Sequence, residues 1–146
     1  MNKKAFTLVE LIVIIIIIGV ILIFALPNTT STIERKKKEA MINDARDFIE
    51  KTKIYAQAQN QYPTSTPKTF RLRDIDVKYE IVKSPYGDNY DREASGVKVE
   101  LIHDADGYRY EFTVTLKCNS HIINEKQIAD LLGKNKYEYV ERRAWV

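Results

Sequence analysis

A single carboxylate stands at the head of an unbroken apolar run near the start of the chain. Glu10 is followed by sixteen residues without a polar side chain, from Leu11 to Leu26. A carboxylate at the hydrocarbon edge of a membrane segment is costly, and such residues are rarely retained without a partner. The first question that this sequence raises is therefore which positive group Glu10 meets.

Two acidic stretches further along the chain resemble metal sites only superficially. Asp104 and Asp106 form a D-x-D-G run, whereas Asp88, Asp91 and Glu93 form a D-x-x-D-x-E run. Calcium takes six to eight oxygen ligands, and neither run has the spacing of an EF-hand loop. Gly107 follows the first run, and proline and glycine residues flank the second, so we interpret both runs as turns and predict no bound metal.

The remaining reactive side chains form no catalytic motif. His103 and His121 lie apart in the sequence, without a nucleophile or an acid in a recognisable motif beside them. The chain has no Walker loop, G-x-S-x-G or H-E-x-x-H motif. Cys118 is the single cysteine, which excludes an internal disulfide, and its strand-like surroundings predict a buried small apolar side chain. We therefore predict a protein that is not an enzyme and that has no cofactor.

Three ordinary explanations of the first thirty residues leave Glu10 without a partner. A secretory signal peptide needs a small-x-small cleavage site, but the apolar run ends in the letters FALP. A lipoprotein signal needs a cysteine directly after the run, and none is there. A plain membrane anchor fits the length, because residues 6–26 approach the ~20 residues that span a bilayer. Lys3 and Lys4 would then hold its start in the cytoplasm.

The residues around Glu10 match a fourth pattern. The stretch KKAFTLVEL, residues 3–11, resembles the processing site of type IV pilins and the related pseudopilins. The resemblance implies that a prepilin peptidase cleaves between Ala5 and Phe6, that Phe6 is then N-methylated, and that the apolar helix remains in the mature protein. The family usually has glycine before the cleavage site, but alanine is also small, so we expect processing.

Cleavage would supply the partner that Glu10 needs. The new amine on Phe6 lies about one helical turn before Glu10, and methylation leaves it basic. Two charges that lose their hydration in hydrocarbon are tolerable when they meet. The resemblance further implies that Glu10 of an incoming subunit pairs with Phe6 of a subunit already in the filament. Gly19 and Pro27 stand where pilins carry residues that loosen the helix, so we expect loosening there.

Helical periodicity resumes at Ser31, which forms an S-x-x-E capping box with Glu34, and it continues to about Gln59. Core-type residues recur there at spacings of three and four: Met41, Ala45, Phe48, Thr52, Tyr55 and Gln59. A loop with two prolines, residues 62–67, follows and predicts the end of the helix near Gln61. This pattern predicts the outer half of a long helix, with one face against a globular head.

Beyond Pro67 the apolar pattern changes to period two. Strands are predicted over residues 77–82, 97–102 and 108–117, with a hairpin turn at 103–107. The third strand places alternate residues on its buried face: Tyr108, Tyr110, Phe112, Val114 and Leu116. Asn124 and Gln127 are predicted to cap a short helix that Gly133 ends, and residues 137–140 a final strand.

The predicted fold class is α+β. A long N-terminal helix, membrane-spanning in its first half and amphipathic in its second, packs on a small antiparallel β-sheet. The predicted organisation is a leader peptide over residues 1–5, a hydrophobic transmembrane and filament-core helix over 6–27, and a soluble head over 28–146. The N-terminus would lie in the cytoplasm and the head outside, with an extracellular filament forming after assembly.

The resemblance implies a structural subunit of a type IV pilus, a minor pilin or pilin-like protein. One alternative is a pseudopilin of a type II secretion or DNA-uptake system; another is a single-span membrane-anchored extracellular binding domain. The expected partners are other pilin subunits, the prepilin peptidase, the inner-membrane assembly platform, and membrane lipid before assembly. A net charge of +3 is too small to predict a nucleic-acid partner.

Overall fold

The chain is α+β, as the sequence predicted. The computed structural model describes residues 7–25, 27–79 and 83–144. Two compact units make up the chain, Met1–Lys36 and Lys37–Val146. The first contains helix α1, Leu8–Ala25, and the start of helix α2, Pro27–Ala58; the second contains the rest of α2 and a five-stranded sheet. We call Lys37–Val146 the head.

The sheet of the head is antiparallel throughout, with its strands in sequence order. Its strands are β1 (Lys68–Arg71), β2 (Gly96–Asp104), β3 (Gly107–Lys117), β4 (His121–Gln127) and β5 (Glu141–Arg142). Helix α3, Leu72–Tyr79, follows β1; helix α4, Ile128–Leu132, follows β4; and a 3-10 turn, Lys136–Tyr139, precedes β5. A sheet with one dry face and one wet face is the usual result of such alternating strands.

The dry face of the sheet and one face of α2 form the core. Phe48 on α2 and Val97, Val99, Val114 and Leu116 on the sheet are all fully buried. The predicted core positions Met41, Ala45 and Thr52 are buried as well, which confirms the helical periodicity, whereas Gln59 is exposed. Cys118 is buried, as predicted, at 1% exposure.

The predicted strand over residues 77–82 is wrong for residues 77–79, which end α3; residues 80–82 lie outside the described part of the chain. The helix forms because Leu72 and Ile75, three residues apart, are both fully buried. Its first N–H groups also find acceptors outside the helix, since the Leu72 N–H donates to the Ser95 carbonyl at 2.9 Å. Packing of a helical face therefore outweighs the two-residue alternation of the sequence.

The segment after Cys118 also differs from the sequence prediction. Asn124 lies in β4, so the short helix begins later, with Gln127 as its N-cap. The Gln127 N–H donates to Asp130 Oδ2 at 3.1 Å, and Gly133 follows the helix as predicted. The predicted strand at residues 137–140 is instead mostly the 3-10 turn, and β5 forms just after it by pairing with β4.

The hairpin of β2 and β3 is confirmed, but only half of its inner face is core. Its turn is tight: Asp104 pairs with Gly107, whose φ of 121° suits glycine. Exposure on the inner face of β3 rises from zero at Val114 to 40% at Tyr110 and 75% at Tyr108. The predicted burial of Tyr108 and Tyr110 is therefore wrong, because the hairpin tip extends beyond the packed core.

Within the described part of the chain, no helix has both the length and the apolar character that crossing a membrane requires.

Candidate functional site

The site predicted around Glu10 begins with a hydrogen-bonded cap on α1. Thr7 directly precedes the helix, and both its N–H and its Oγ1 donate to Glu10 Oε2 at 2.9 Å. The Glu10 N–H donates in return to Thr7 Oγ1 at 3.3 Å. This reciprocal arrangement is a capping box, in which a Thr and a Glu three residues later satisfy N–H groups that the helix itself leaves open.

The cap gives the Glu10 carboxylate partners inside its own chain. Both bonds from Thr7 end on Oε2. An ionised carboxylate can accept about four hydrogen bonds through its two oxygens, so Oε1 retains acceptor capacity for a further group. The cap thus orients the carboxylate at the helix start without using all of its hydrogen-bond acceptor capacity.

The sequence analysis missed this cap, although its signal is simple. Residues 7–10 read T-L-V-E, which is the S/T-x-x-E pattern of a capping box before an apolar run.

The predicted processing residues Ala5 and Phe6 lie outside the described residues. The pairing of Glu10 with the Phe6 amine therefore stays a prediction. Gly19 lies within α1, where a Cβ added to it would meet no atom within 4 Å, and Pro27 is the first residue of α2. Local packing thus gives no reason for glycine at position 19, and the predicted loosening at Gly19 and Pro27 also stays a prediction.

The apolar side chains of α1 are exposed in the described part of the chain. Fifteen large apolar residues between Leu8 and Phe24 are exposed by 43 to 77% of their surface. Contiguous apolar surface of this kind marks an interaction with lipid or with other protein chains. The N-terminal unit therefore combines an oriented carboxylate with a helix whose surface is made for an apolar environment.

Asp88 and Asp91 in the head accept hydrogen bonds that stabilise loops. Hydrogen bonds from the Ala94 N–H at 2.9 Å and the Glu93 N–H at 3.0 Å lower the pKa of Asp91. Partial burial opposes ionisation of Asp88, but hydrogen bonds from Ser84 and from the Ser120 N–H outweigh it, and the pKa of Asp88 is lowered. Among the described residues, no group of three potential ligands could hold a metal ion.

Two histidines and one further carboxylate of the head contact aromatic side chains. His121 is buried and stacks on Tyr86 with ring centroids 3.6 Å apart, whereas His103 lies against Tyr108 at the hairpin tip. Asp44 on α2 accepts a hydrogen bond of 2.7 Å from the Tyr90 hydroxyl. Burial raises the pKa of Asp44, although the hydrogen bond from Tyr90 acts in the opposite direction.

Comparison with known protein families finds a match at the start of the chain. Residues 1–26 match the family described as "Prokaryotic N-terminal methylation motif". No curated protein and no solved structure matches the chain. The matched segment contains Ala5, Phe6, the Thr7–Glu10 cap and all of α1. The chain thus begins with the cleavage and methylation signal of type IV pilin-like proteins.

Proposed function

We propose that this protein is a structural subunit of a type IV filament, a minor pilin or pilin-like protein that is held in the membrane through α1 before assembly. The observation that carries the proposal is the methylation motif at residues 1–26, placed directly on an apolar helix with no cover of its own. The motif alone is compatible with a pseudopilin of a secretion or DNA-uptake system, which uses the same kind of N-terminal helix.

The physical basis is the cost of leaving α1 in water. Full burial of one Val, Leu, Ile or Phe side chain contributes about 1.5–3 kcal/mol. Fifteen such side chains on α1 are exposed, so their combined burial would exceed the ~5–15 kcal/mol that stabilises a typical domain. Lipid supplies this cover before assembly, and the α1 helices of other subunits supply it in the filament.

Processing prepares the helix start for assembly. A prepilin peptidase removes residues 1–5, and methylated Phe6 then directly precedes the Thr7–Glu10 cap. Thr7 holds Glu10 Oε2 through two hydrogen bonds of 2.9 Å. The amine of Phe6 on a neighbouring subunit binds the same carboxylate through Oε1. Because the carboxylate is already oriented, the incoming amine meets a fixed acceptor, and the pair sets the register between subunits.

Mass spectrometry of the N-terminal peptide tests the processing step. We expect a peptide that begins at Phe6 and carries one methyl group. A strain without the prepilin peptidase is the control, and it should retain Met1. An intact Met1 in the wild type, or a terminus near Asn28, would contradict the proposal.

Filament incorporation tests the structural role and separates it from the alternatives. We expect the protein in filaments sheared from the cell surface, and its loss from that fraction when the assembly ATPase is deleted. A pseudopilin would instead stay with the cell envelope, and its deletion would block secretion or DNA uptake. An anchored binding domain would stay in the membrane regardless of the ATPase.

A further inference from the structure

The wet face of the sheet contains a notch centred on Gly96. The register places Arg71 on β1 and Thr115 on β3 on either side of Gly96 on β2. Adjacent strands lie about 4.8 Å apart, so a residue without a side chain at the centre leaves a shallow gap between its neighbours on β1 and β3. We call this gap the Gly96 notch. Its volume is about 400 Å³.

The notch is kept open by the backbone around it. A Cβ added to Gly96 would lie 3.1 Å from both the Phe70 carbonyl oxygen and Thr69 Cγ2. Contacts of this length require the neighbours to move, so a side chain at position 96 fits poorly. Gly96 and Ser95 are buried at the floor, and the Ser95 hydroxyl is fixed there because it accepts a hydrogen bond of 3.0 Å from the Lys117 N–H.

A β-bulge forms one wall of the notch. The register between β3 and β4 shifts between Val114 and Leu116, so Thr115 faces two residues, Asn124 and Glu125. Glu125 has a φ of 46°, which is unfavourable for a residue with a side chain. Its N–H donates to Thr115 Oγ1 at 3.3 Å. Bulges of this kind redirect side chains and are frequent next to binding sites; here Asn124 and Glu125 both line the notch.

The lining mixes donors with acceptors and balances its charges. Arg71 Nη1 lies 3.3 Å from Glu93 Oε2, and Lys98 Nζ lies 3.0 Å from Glu100 Oε1. With Glu125 also at the rim, the notch has no excess of positive charge that would select an anion. Threonine hydroxyls and methyl groups complete the surface, at positions 69, 113 and 115. Its volume falls within the ~300–1,000 Å³ of small-molecule sites, and its mixed polar and apolar lining suits a ligand that has both polar groups and an apolar face.

We propose that the Gly96 notch binds one neutral sugar unit of a glycan. Each sugar hydroxyl both donates and accepts, so Arg71 and Lys98 donate to it while Glu93 and Glu125 accept from it. The threonine methyl groups pack on the C–H face of the ring. This site is independent of the proposed filament role, because it lies entirely on the head and requires no assembly.

Titration of the full chain with single sugars tests the site. The ¹⁵N-labelled protein is held in phosphocholine micelles, whose headgroups carry no sugar, and titrated with D-glucose, D-galactose and N-acetyl-D-glucosamine. We expect saturable amide shifts for at least one sugar, centred on Gly96, Thr113 and Thr115, with millimolar affinity. Absence of saturable shifts with all three sugars, or shifts centred elsewhere, would overturn the proposal. So would binding of D-glucuronate alone.

Two variants and two controls locate the binding. Thr113→Leu fills the notch and should weaken binding about tenfold or more, whereas Lys98→Gln replaces a charged donor with a shorter neutral amide and should weaken it about threefold or more. Thr64→Leu and Lys83→Gln change exposed residues outside the notch and should leave the affinity unchanged. Amide spectra away from the notch report folding, and Lys98→Gln tests the site even if Thr113→Leu unfolds. Unchanged affinity in Lys98→Gln would exclude the notch as the site.

Discussion

Two phenylalanines show how differently the two units of this chain use apolar residues. Phe24 near the end of α1 is 77% exposed, whereas Phe48 on α2 is fully buried against the sheet. Both lie on helices, yet only Phe48 contributes to the folding of its own chain. The presence of an apolar side chain on a helix therefore does not show by itself whether that side chain stabilises its own fold. The pattern around it does: α1 is apolar on every side, whereas α2 has one apolar face.

The carboxylates of the two units differ in the same way. Glu10 is held by Thr7 at an exposed helix start, with acceptor capacity to spare, whereas Asp44 is partly buried and bonded to Tyr90 across the head. The first arrangement suits a partner that arrives later, and the second completes a fold.

The largest expected effect is that of removing the charge at position 10. In Glu10→Gln the Phe6 amine would enter the subunit interface opposite a neutral amide. An uncompensated buried charge costs about 3–5 kcal/mol, so incorporation into filaments should fall about a hundredfold or more. The measurement is the ratio of subunit in sheared filaments to subunit in membranes, at equal expression.

Controls for this variant come from the same helix start. Mass spectrometry should show that Glu10→Gln is still cleaved and methylated. Thr7→Ser keeps the capping hydroxyl and should assemble as the wild type does. A normal filament ratio and a normal filament count for Glu10→Gln would mean that the carboxylate serves only as a cap.

The two phenylalanines provide a matched pair for stability. Phe48→Ala removes a fully buried ring from the head, and we expect a loss of about 3–5 kcal/mol in the free energy of unfolding. Phe24→Ala should change the stability of the head by less than about 0.5 kcal/mol. Chemical denaturation of both variants in the same micelles, followed by tyrosine fluorescence, gives the two values. Equal losses would show that α1 contributes to the fold of the head.

A smaller effect separates the two halves of β3. Leu116→Ala removes a fully buried side chain, so it should cost about 2–5 kcal/mol. Phe112 is only partly buried, and Phe112→Ala should cost about 1–2 kcal/mol. Tyr108→Ser, at the exposed tip, should change the stability by less than about 0.5 kcal/mol. The same denaturation assay measures this series. A large loss of stability in Tyr108→Ser would mean that the tip of the β2–β3 hairpin is buried.

The smallest expected effects concern pH, and they have opposite signs. Burial raises the pKa of Asp44 above the usual 3.8, so its ionisation disfavours the folded state above that pH. Asp44→Asn should therefore raise the melting temperature at pH 7, and this gain should vanish as the pH falls below about 3.8. Hydrogen bonds from the Ala94 and Glu93 N–H groups lower the pKa of Asp91, so its charge favours the folded state at pH 7.

The matched variant is Asp91→Asn. It should lower the melting temperature at pH 7, and the loss should shrink as the pH falls through the folded-state pKa of Asp91, below 3.8. Thermal melts from pH 3 to pH 7 measure both variants. The same sign for both at pH 7 would contradict the roles assigned to these two carboxylates.

The sequence predicted the parts of the fold whose residues repeat at one clear period. The core face of α2 with Phe48, the hairpin of β2 and β3, and the burial of Cys118 are examples. It failed where two periods compete: residues 77–79 alternate like a strand, but Leu72 and Ile75 draw that segment into a helix. The strands β1 and β5 were missed because four and two residues are too short to show a period.

Other features depend on three-dimensional contacts, which the periodicity of the sequence does not contain. The alternation from Tyr108 to Leu116 is regular, yet only contact with the core decides that Leu116 is buried and Tyr108 exposed. The bulge at Asn124 and Glu125, which shapes the Gly96 notch, results from pairing with Thr115 and has no signature of its own. The Thr7–Glu10 cap, in contrast, was readable from its spacing alone.

The two edge strands of the sheet are short, which limits pairing between heads that lie close together. Filament subunits would hold many heads side by side, where exposed strand edges invite the chains to fuse into aggregated sheets. Here one edge is β1, four residues that follow Pro67 and carry Lys68 and Arg71; the other is β5, only Glu141 and Arg142. Segments of six or seven uncharged residues are what amyloid-like stacking requires. Such short, charged edges disfavour edge-to-edge pairing of the heads, so in the proposed filament the contacts between subunits would depend on the apolar helices.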